Sequence, residues 1–183
     1  MKNFSITGTY TDLYQLAMAQ VYFLTKKSNQ TAVFDYFFRR IPFDGGYAVF
    51  AGLADLLQVL EELEFTREDR EYLITIGLDA EFVRSLEGFR FRGSIHAATE
   101  GEIIFPNEPV LRLEGNILEA QVVETLLLNI LNFQSLIATK AARMRSVAGN
   151  KILSEFGLRR AQGLGGYHAT RAAAIGGFNS TSN

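Results

Sequence analysis

The chain has 183 residues, 48% of them hydrophobic, a formal net charge of −2 and no cysteine. That balance excludes a disordered chain, disulfides, thiol catalysis and thiolate metal sites, and argues against nucleic acid as the main partner. Met1–Gly8 lacks the apolar core of a signal peptide, and the longest uncharged run, Thr125–Thr139, is broken by Asn129, Asn132, Gln134 and Ser135, so a cytoplasmic location is expected.

Thr9–Thr25 reads as a helix with Asp12 as its cap and Gln15 three residues on, in the capping-box place. Tyr14, Ala17, Met18, Val21 and Tyr22 share one face at helical spacing. On pattern alone Tyr14 is a core aromatic of that face and Asp12 an N-cap. Thr31–Arg40, dense in aromatic and β-branched residues, predicts a strand closed by Pro42 and the Asp44-Gly45-Gly46 turn. A short strand at Tyr47–Ala51 and a helix from Leu53 to about Leu63 follow. Two further helices are predicted at Thr66–Ile76, with Thr66 and Asp69 as its start signal, and at Ala80–Leu86, with Asp79 before it.

Phe89–Glu102 changes to a period of two, and with Ile103–Phe105, the Pro106–Pro109 turn and Val110–Leu113 it predicts a small antiparallel unit. His96 falls on the polar side of a strand. With His168 the only other histidine, and no close cluster of His, Asp or Glu, no metal site is expected. Asn116 with Glu119 opens a long helix to about Ala148, stopped by Gly149-Asn150. Its middle, Val122–Ile137, is apolar on more than one side, so it is expected to be buried, leaving Asn129, Asn132 and Gln134 in need of partners inside protein.

The last stretch reads as strand (Lys151–Phe156), glycine-rich loop, and a short helix Thr170–Ile175 opened by Arg171: the start of a β/α repeat. It carries the adjacent pair Arg159-Arg160, and from Phe156 to Asn183 there is no Asp or Glu. Glycine lets backbone N–H groups approach an anion, a helix start adds partial positive charge, and guanidinium forks fit phosphate and carboxylate oxygens two at a time. A phosphate or carboxylate site is the reading, against a surface turn with solvated arginines. The fold class is therefore α/β: an α+β N-terminal domain (1–115), a long buried connecting helix (116–149), and the first strand–helix unit of a further α/β repeat (150–183).

Eight segments in order, Thr11–Gln15, Phe34–Arg40, Gly46–Phe50, Phe105–Pro109, Glu119–Glu124, Asn132–Ala142, Phe156–Gly163 and Gly176–Asn183, together resemble the nicotinate phosphoribosyltransferases over essentially the whole chain. The resemblance implies an N-terminal α/β domain followed by an irregular α/β barrel, with active sites shared between the subunits of a homodimer. It also implies a reaction that joins nicotinate to phosphoribosyl pyrophosphate, giving nicotinate mononucleotide and pyrophosphate in NAD biosynthesis. ATP hydrolysis drives that cycle, and Mg²⁺ and ATP are the implied cofactors. Tyr14 resembles the tyrosine that stacks on the pyridine ring across the dimer, with Asp12 positioning that segment, and Arg159, Arg160 and Arg171 resemble barrel-edge residues that hold phosphates and the nicotinate carboxylate. The histidine that the family phosphorylates lies beyond the Gly176–Asn183 motif, so these 183 residues by themselves are expected to be inactive; His168 is a loop or ligand-edge residue. Three other readings stand beside this one: a nicotinamide or quinolinate phosphoribosyltransferase, a non-catalytic dimerising remnant, and an RNA- or anion-binding module, which the overall acidity disfavours.

Overall fold

The computed structural model describes residues 6–41, 45–163 and 165–182; the Pro42–Asp44 end of the first predicted turn, the N-terminal Met1–Ser5 and Asn183 lie outside them. The elements run α1 (Leu13–Leu24), β1 (Thr31–Tyr36), β2 (Ala48–Val49), α2 (Leu53–Glu62), α3 (Arg67–Thr75), α4 (Ala80–Ser85), β3 (Ser94–Ala97), β4 (Ile103–Ile104), β5 (Leu111–Asn116), α5 (Ile117–Ala148), β6 (Ser154–Glu155), α6 (Gly165–Ile175) and β7 (Ser180–Thr181). A single 3-10 turn, Leu158–Arg160, lies between β6 and α6.

Helix starts follow local chemistry. Thr66 and Asp69 form a complete capping box on α3, the Asp69 N–H donating to Thr66 Oγ1 at 3.1 Å and the Thr66 N–H to Asp69 Oδ2 at 2.8 Å. Asp79 accepts from the N–H groups of Glu81 and Phe82 and starts α4. Asn116 Oδ1 accepts from the Glu119 N–H at 2.8 Å, and the Glu119 carboxylate accepts from Asn116 Nδ2 and the Arg92 N–H. This closes the start of α5 at the predicted pair.

The chain forms two compact units that do not follow the linear division into 1–115, 116–149 and 150–183. The first gathers residues up to Asp35, Asp55–His96 and Arg112–Leu128; the second gathers Tyr36–Ala54, Ala97–Leu111 and the chain from Asn129. Helix α5 supplies both, because its two halves bury against different segments.

Most of a three-stranded sheet, in the order β1-β5-β3, belongs to the first unit. Its core holds Leu16, Leu56, Leu73, Phe82, Leu113 and Leu126, each no more than 3% exposed, and Phe65 meets Phe89 edge-on at 5.4 Å. Arg112 clasps Asp35 on the neighbouring strand at 2.8 and 3.0 Å.

In the second unit β2 pairs antiparallel with β4, Ala48 opposite Ile104. The predicted antiparallel unit of residues 89–113 is thus divided, with β4 leaving β3 and β5 for β2. The small hydroxyls of α5 explain the strand's place: Thr139 Oγ1 accepts from the Val49 N–H at 2.9 Å, and Ser135 Oγ accepts from the Ala51 N–H at 3.1 Å. Both sit four residues apart on one helix face and satisfy strand donors that β4 does not reach. Asn132 Oδ1 accepts from the Tyr36 hydroxyl at 3.0 Å, so one of the buried-helix amides has its predicted partner. Val49, Ala51, Ala138 and Ala172 form an apolar cluster beneath.

Strands β6 and β7 pair in parallel, Ser154 opposite Ser180 and Glu155 opposite Thr181, with α6 between them in sequence. The predicted strand and helix are both present, although β6 is shorter than the Lys151–Phe156 pattern suggests, and β7, which the sequence reading did not place, completes a β-α-β unit. Helix α5, at 32 residues, is long and apolar enough to cross a bilayer by length and composition, and more than half of its most apolar window is buried inside the protein.

Candidate functional site

The segment Thr11–Gln15 binds the first turns of α5 through polar side chains. Thr11 Oγ1 donates to the Val122 carbonyl at 3.2 Å, and Thr125 Oγ1 donates to Asp12 Oδ2 at 2.8 Å. Asp12 occupies the N-cap place of α1 without capping it by its side chain; the predicted capping box with Gln15 gives way to these contacts with α5. Gln15 is fully buried. Its Nε2 donates to Glu124 Oε2 at 3.0 Å and to the Tyr14 hydroxyl at 2.9 Å, while Gln121 Nε2 donates to Gln15 Oε1. A satisfied polar network is thereby the inward face of α1, beside Leu16 and Ala19.

The face that periodicity marks as core is turned outward. Tyr14 is 56% exposed, and Leu13, Met18, Val21 and Leu24 are exposed with it. Tyr14 is therefore a presented aromatic rather than a core one. Partial desolvation, then the negative charges of Glu124 and Asp12, push its phenol above the ordinary value against the opposing Gln15 hydrogen bond. The ring is neutral at physiological pH.

The second cluster lies in the second unit. Arg159 and Arg160 occupy the 3-10 turn and are exposed, and neither side chain has a hydrogen bond or ion pair to a described residue. The turn packs against α6. Helix α6 begins at Gly165, so Arg171 lies within it and does not open it, and His168 is helical instead of lying in a loop. Gly166 stands in its first turn where the helix is closely approached, since a Cβ there would overlap the Leu158 side chain, whereas one on Gly165 would make an ordinary 3.4 Å contact with the Phe133 ring. His168 Nδ1 lies 3.3 Å from Gln134 Nε2.

Arg171 is held by Glu100, Nη1 to Oε1 at 2.7 Å and Nη2 to Oε2 at 2.5 Å, with 32% and 17% of the two side chains exposed. Glu100 Oε1 also accepts from the N–H groups of Gly52 at 2.6 Å and Leu53 at 3.0 Å. Burial raises the Glu100 pKa, but the Arg171 hydrogen bonds, the Gly52 N–H and the Arg171 charge outweigh it, and the carboxyl sits below its usual range. A carboxyl lowered in this way adds stability above its unfolded-state value and loses it as pH falls through the folded-state value. Glu100→Gln is therefore expected to lower the melting temperature at neutral pH, and the gap to the parent should narrow as pH drops below about 4.3. Thermal melts between neutral and acid pH check this; a gap independent of pH would contradict it.

Sequence reasoning missed Gln15, Gln121, Glu124 and Glu100. The first three could have been suspected as polar residues on otherwise apolar helices. Glu100 meets Arg171 71 positions away and carries no local signal. An open cleft of about 660 Å³ in the first unit, lined by Lys26, Phe89, Arg92 and Glu119 among others, includes none of the predicted site residues. Among the described residues no three His, Asp or Glu side chains converge where they could hold a metal ion.

Helices packed with small sheets and a parallel β-α-β unit place the chain in the α/β class, and solved structures agree on the fold. The chain matches human nicotinic acid phosphoribosyltransferase with a TM-score of 0.87 at 39% identity, covering 94% of this chain and 36% of that one. It matches nicotinate-nucleotide pyrophosphorylase from Pyrococcus furiosus with a TM-score of 0.77 at 26% identity, covering 100% of this chain and 41% of that one. The family model described as the nicotinate phosphoribosyltransferase (NAPRTase) N-terminal domain matches residues 9–132. Nicotinate phosphoribosyltransferase of Bacillus subtilis (strain 168) is 48% identical over 176 residues, 95% of this chain and 36% of the relative. That of Caenorhabditis elegans is 45% identical over 181 residues, 94% of this chain and 32% of the relative. The chain belongs to the nicotinate phosphoribosyltransferase family, and it spans about a third of the length of these curated relatives.

Proposed function

We propose that this chain supplies the base-stacking aromatic and the first phosphate-binding cations of an enzyme that joins nicotinate to phosphoribosyl pyrophosphate. The products are nicotinate mononucleotide and pyrophosphate in NAD biosynthesis, and ATP hydrolysis is coupled to the reaction. The observation that carries this reading is Tyr14: an exposed, neutral ring fixed from behind by Gln15, with Asp12 tied to α5. An aromatic held this way, and not buried, is suited to receive a planar ligand.

As pyrophosphate leaves the ribose, negative charge grows on its oxygens while the sugar becomes positive. Fixed cations near the leaving group lower that barrier, and positioning of the base supplies much of the rest. Arg159 and Arg160 suit the first task, since no carboxylate among the described residues neutralises them. The exposed apolar stripe of α1 around Tyr14 supports a homodimer in which Tyr14 serves the partner's site. Mg²⁺, carried by the phosphates of the substrate, belongs to this proposal.

Arg160→Ala tests the cation role. In a chain of the family's full length it is expected to raise the KM for phosphoribosyl pyrophosphate about tenfold, as loss of a charge-assisted hydrogen bond of roughly 1.5 kcal/mol implies, with the nicotinate KM little changed. Steady-state kinetics with each substrate varied in turn decides the matter, and an equal loss for both substrates would defeat the assignment.

A further inference from the structure

The acid-free stretch from Phe156 onward has to take its anionic partners from elsewhere in the chain, and two carboxylates reach consecutive residues of α6. Glu155, on β6, accepts from Thr170 Oγ1 at 3.0 Å through Oε2, and its Oε1 accepts from the Gly157 N–H. Glu100, from the turn before β4, takes both terminal nitrogens of Arg171. Successive helix positions point about 100° apart, so the two carboxylates hold α6 from different directions and oppose its rotation. Glu100 is anchored in turn by the Gly52 and Leu53 N–H groups. The arginine turn rests directly on this helix, Leu158 lying where a side chain on Gly166 would be.

We infer that Glu100 is a positioning residue for the Arg159-Arg160 turn: by holding Arg171 against the Gly52–Leu53 backbone it fixes α6, and with it the turn, and it keeps Arg171 out of the anion site. This rests on the reading of that turn as a phosphate site, and it changes the role of Arg171. Of the three arginines of the anion-site reading, two bind the ligand and the third is committed to a carboxylate. Arg171 takes both carboxylate oxygens, and the Gly52 and Leu53 N–H groups hold Oε1 in place, so releasing Arg171 would leave a largely buried carboxylate without its cation.

The two roles for Arg171 predict opposite signs. If Arg171 were a ligand restrained by Glu100, Glu100→Gln would free it and tighten anion binding. If Glu100 positions the turn, the same change weakens binding. The probe is inorganic pyrophosphate, titrated calorimetrically into the chain at neutral pH and well below the melting temperature of each variant. Glu100→Gln and Arg171→Gln are each expected to weaken pyrophosphate binding about tenfold, and the double variant to be no weaker than either, the non-additivity of a pair acting as one unit. Glu100→Asp should recover part of the loss. Tighter binding in Glu100→Gln, or fully additive losses, would overturn the inference.

A second measurement stands without ligand: backbone amide signals of Leu158–Arg160 should move in the nuclear magnetic resonance spectrum of Glu100→Gln, and unmoved signals would overturn the positioning role. Failure of the underlying phosphate reading looks different. In that case the unsubstituted chain binds no pyrophosphate, or Arg160→Ala leaves its affinity unchanged, whatever the amide signals do.

Discussion

Tyr14→Ala is expected to lower kcat/KM for nicotinate on the order of thirtyfold in a chain of the family's full length, through the loss of one stacked aromatic contact and the ring area it buries against the base. The melting temperature should move by no more than about 2 °C, because a surface substitution costs within about 0.5 kcal/mol. This pairing of a large kinetic effect with a small stability effect follows from where the side chain stands. Tyr14 is 56% exposed, and the groups that hold α1 on α5 are its neighbours, Thr11, Asp12 and Gln15, not the ring. Tyr14→Phe should retain most of the activity, since the hydroxyl only accepts from Gln15. Steady-state kinetics beside thermal melts checks both halves. Unchanged kinetics with a large drop in melting temperature would return Tyr14 to the core.

The face of α1 shows why part of this was hidden in the sequence. Hydrophobic periodicity assumes that the buried side of a helix is apolar. Here Gln15 is buried and Tyr14, Met18 and Val21 are not, because Gln121 and Glu124 of α5 give Gln15 its hydrogen bonds. The pattern put the right residues on one face and the wrong face toward the core. Two local start signals held where the Asp12–Gln15 box did not. The Thr66–Asp69 box and the Asn116–Glu119 start of α5 both formed as spaced, since both partners lie within one turn. Strand partnership is not local: nothing in Ile103–Phe105 states that it pairs with Ala48 and Val49 rather than its sequence neighbours. Arg159 and Arg160 could be singled out because a stretch of 28 residues without an acid is visible in one dimension. That Glu100 would come across to Arg171 was not, and it separates one arginine from the other two.

The motif that closes the chain makes the strongest stability prediction, and it is about packing. Gly176 follows α6, where the chain passes α5. A Cβ there would overlap the Ala138 backbone carbonyl and lie 2.5 Å from Ala141 Cβ and 3.0 Å from the Ala142 nitrogen. These are mostly backbone atoms of a 32-residue helix, which cannot swing aside as the tip of a flexible side chain can. Gly176→Ala is therefore expected to cost about 3 kcal/mol, the upper part of the usual overpacking range, and to lower the melting temperature by roughly 6–12 °C for a chain of this size. Ala138 and Ala141 are the other half of the same contact, buried and small, so Ala141→Gly in the Gly176→Ala background should restore part of the loss despite glycine's own cost in a helix of about 1 kcal/mol. Gly46→Ala is the control, because nothing lies within 4 Å of the added methyl, and it should be neutral. Equal melting temperatures for Gly176→Ala and Gly46→Ala would mean that α5 and the segment after α6 do not approach this closely. Recovery in the double variant would tie the Gly176–Asn183 motif to the Asn132–Ala142 motif, two of the eight segments of the family resemblance, through the close approach of Gly176 to Ala141.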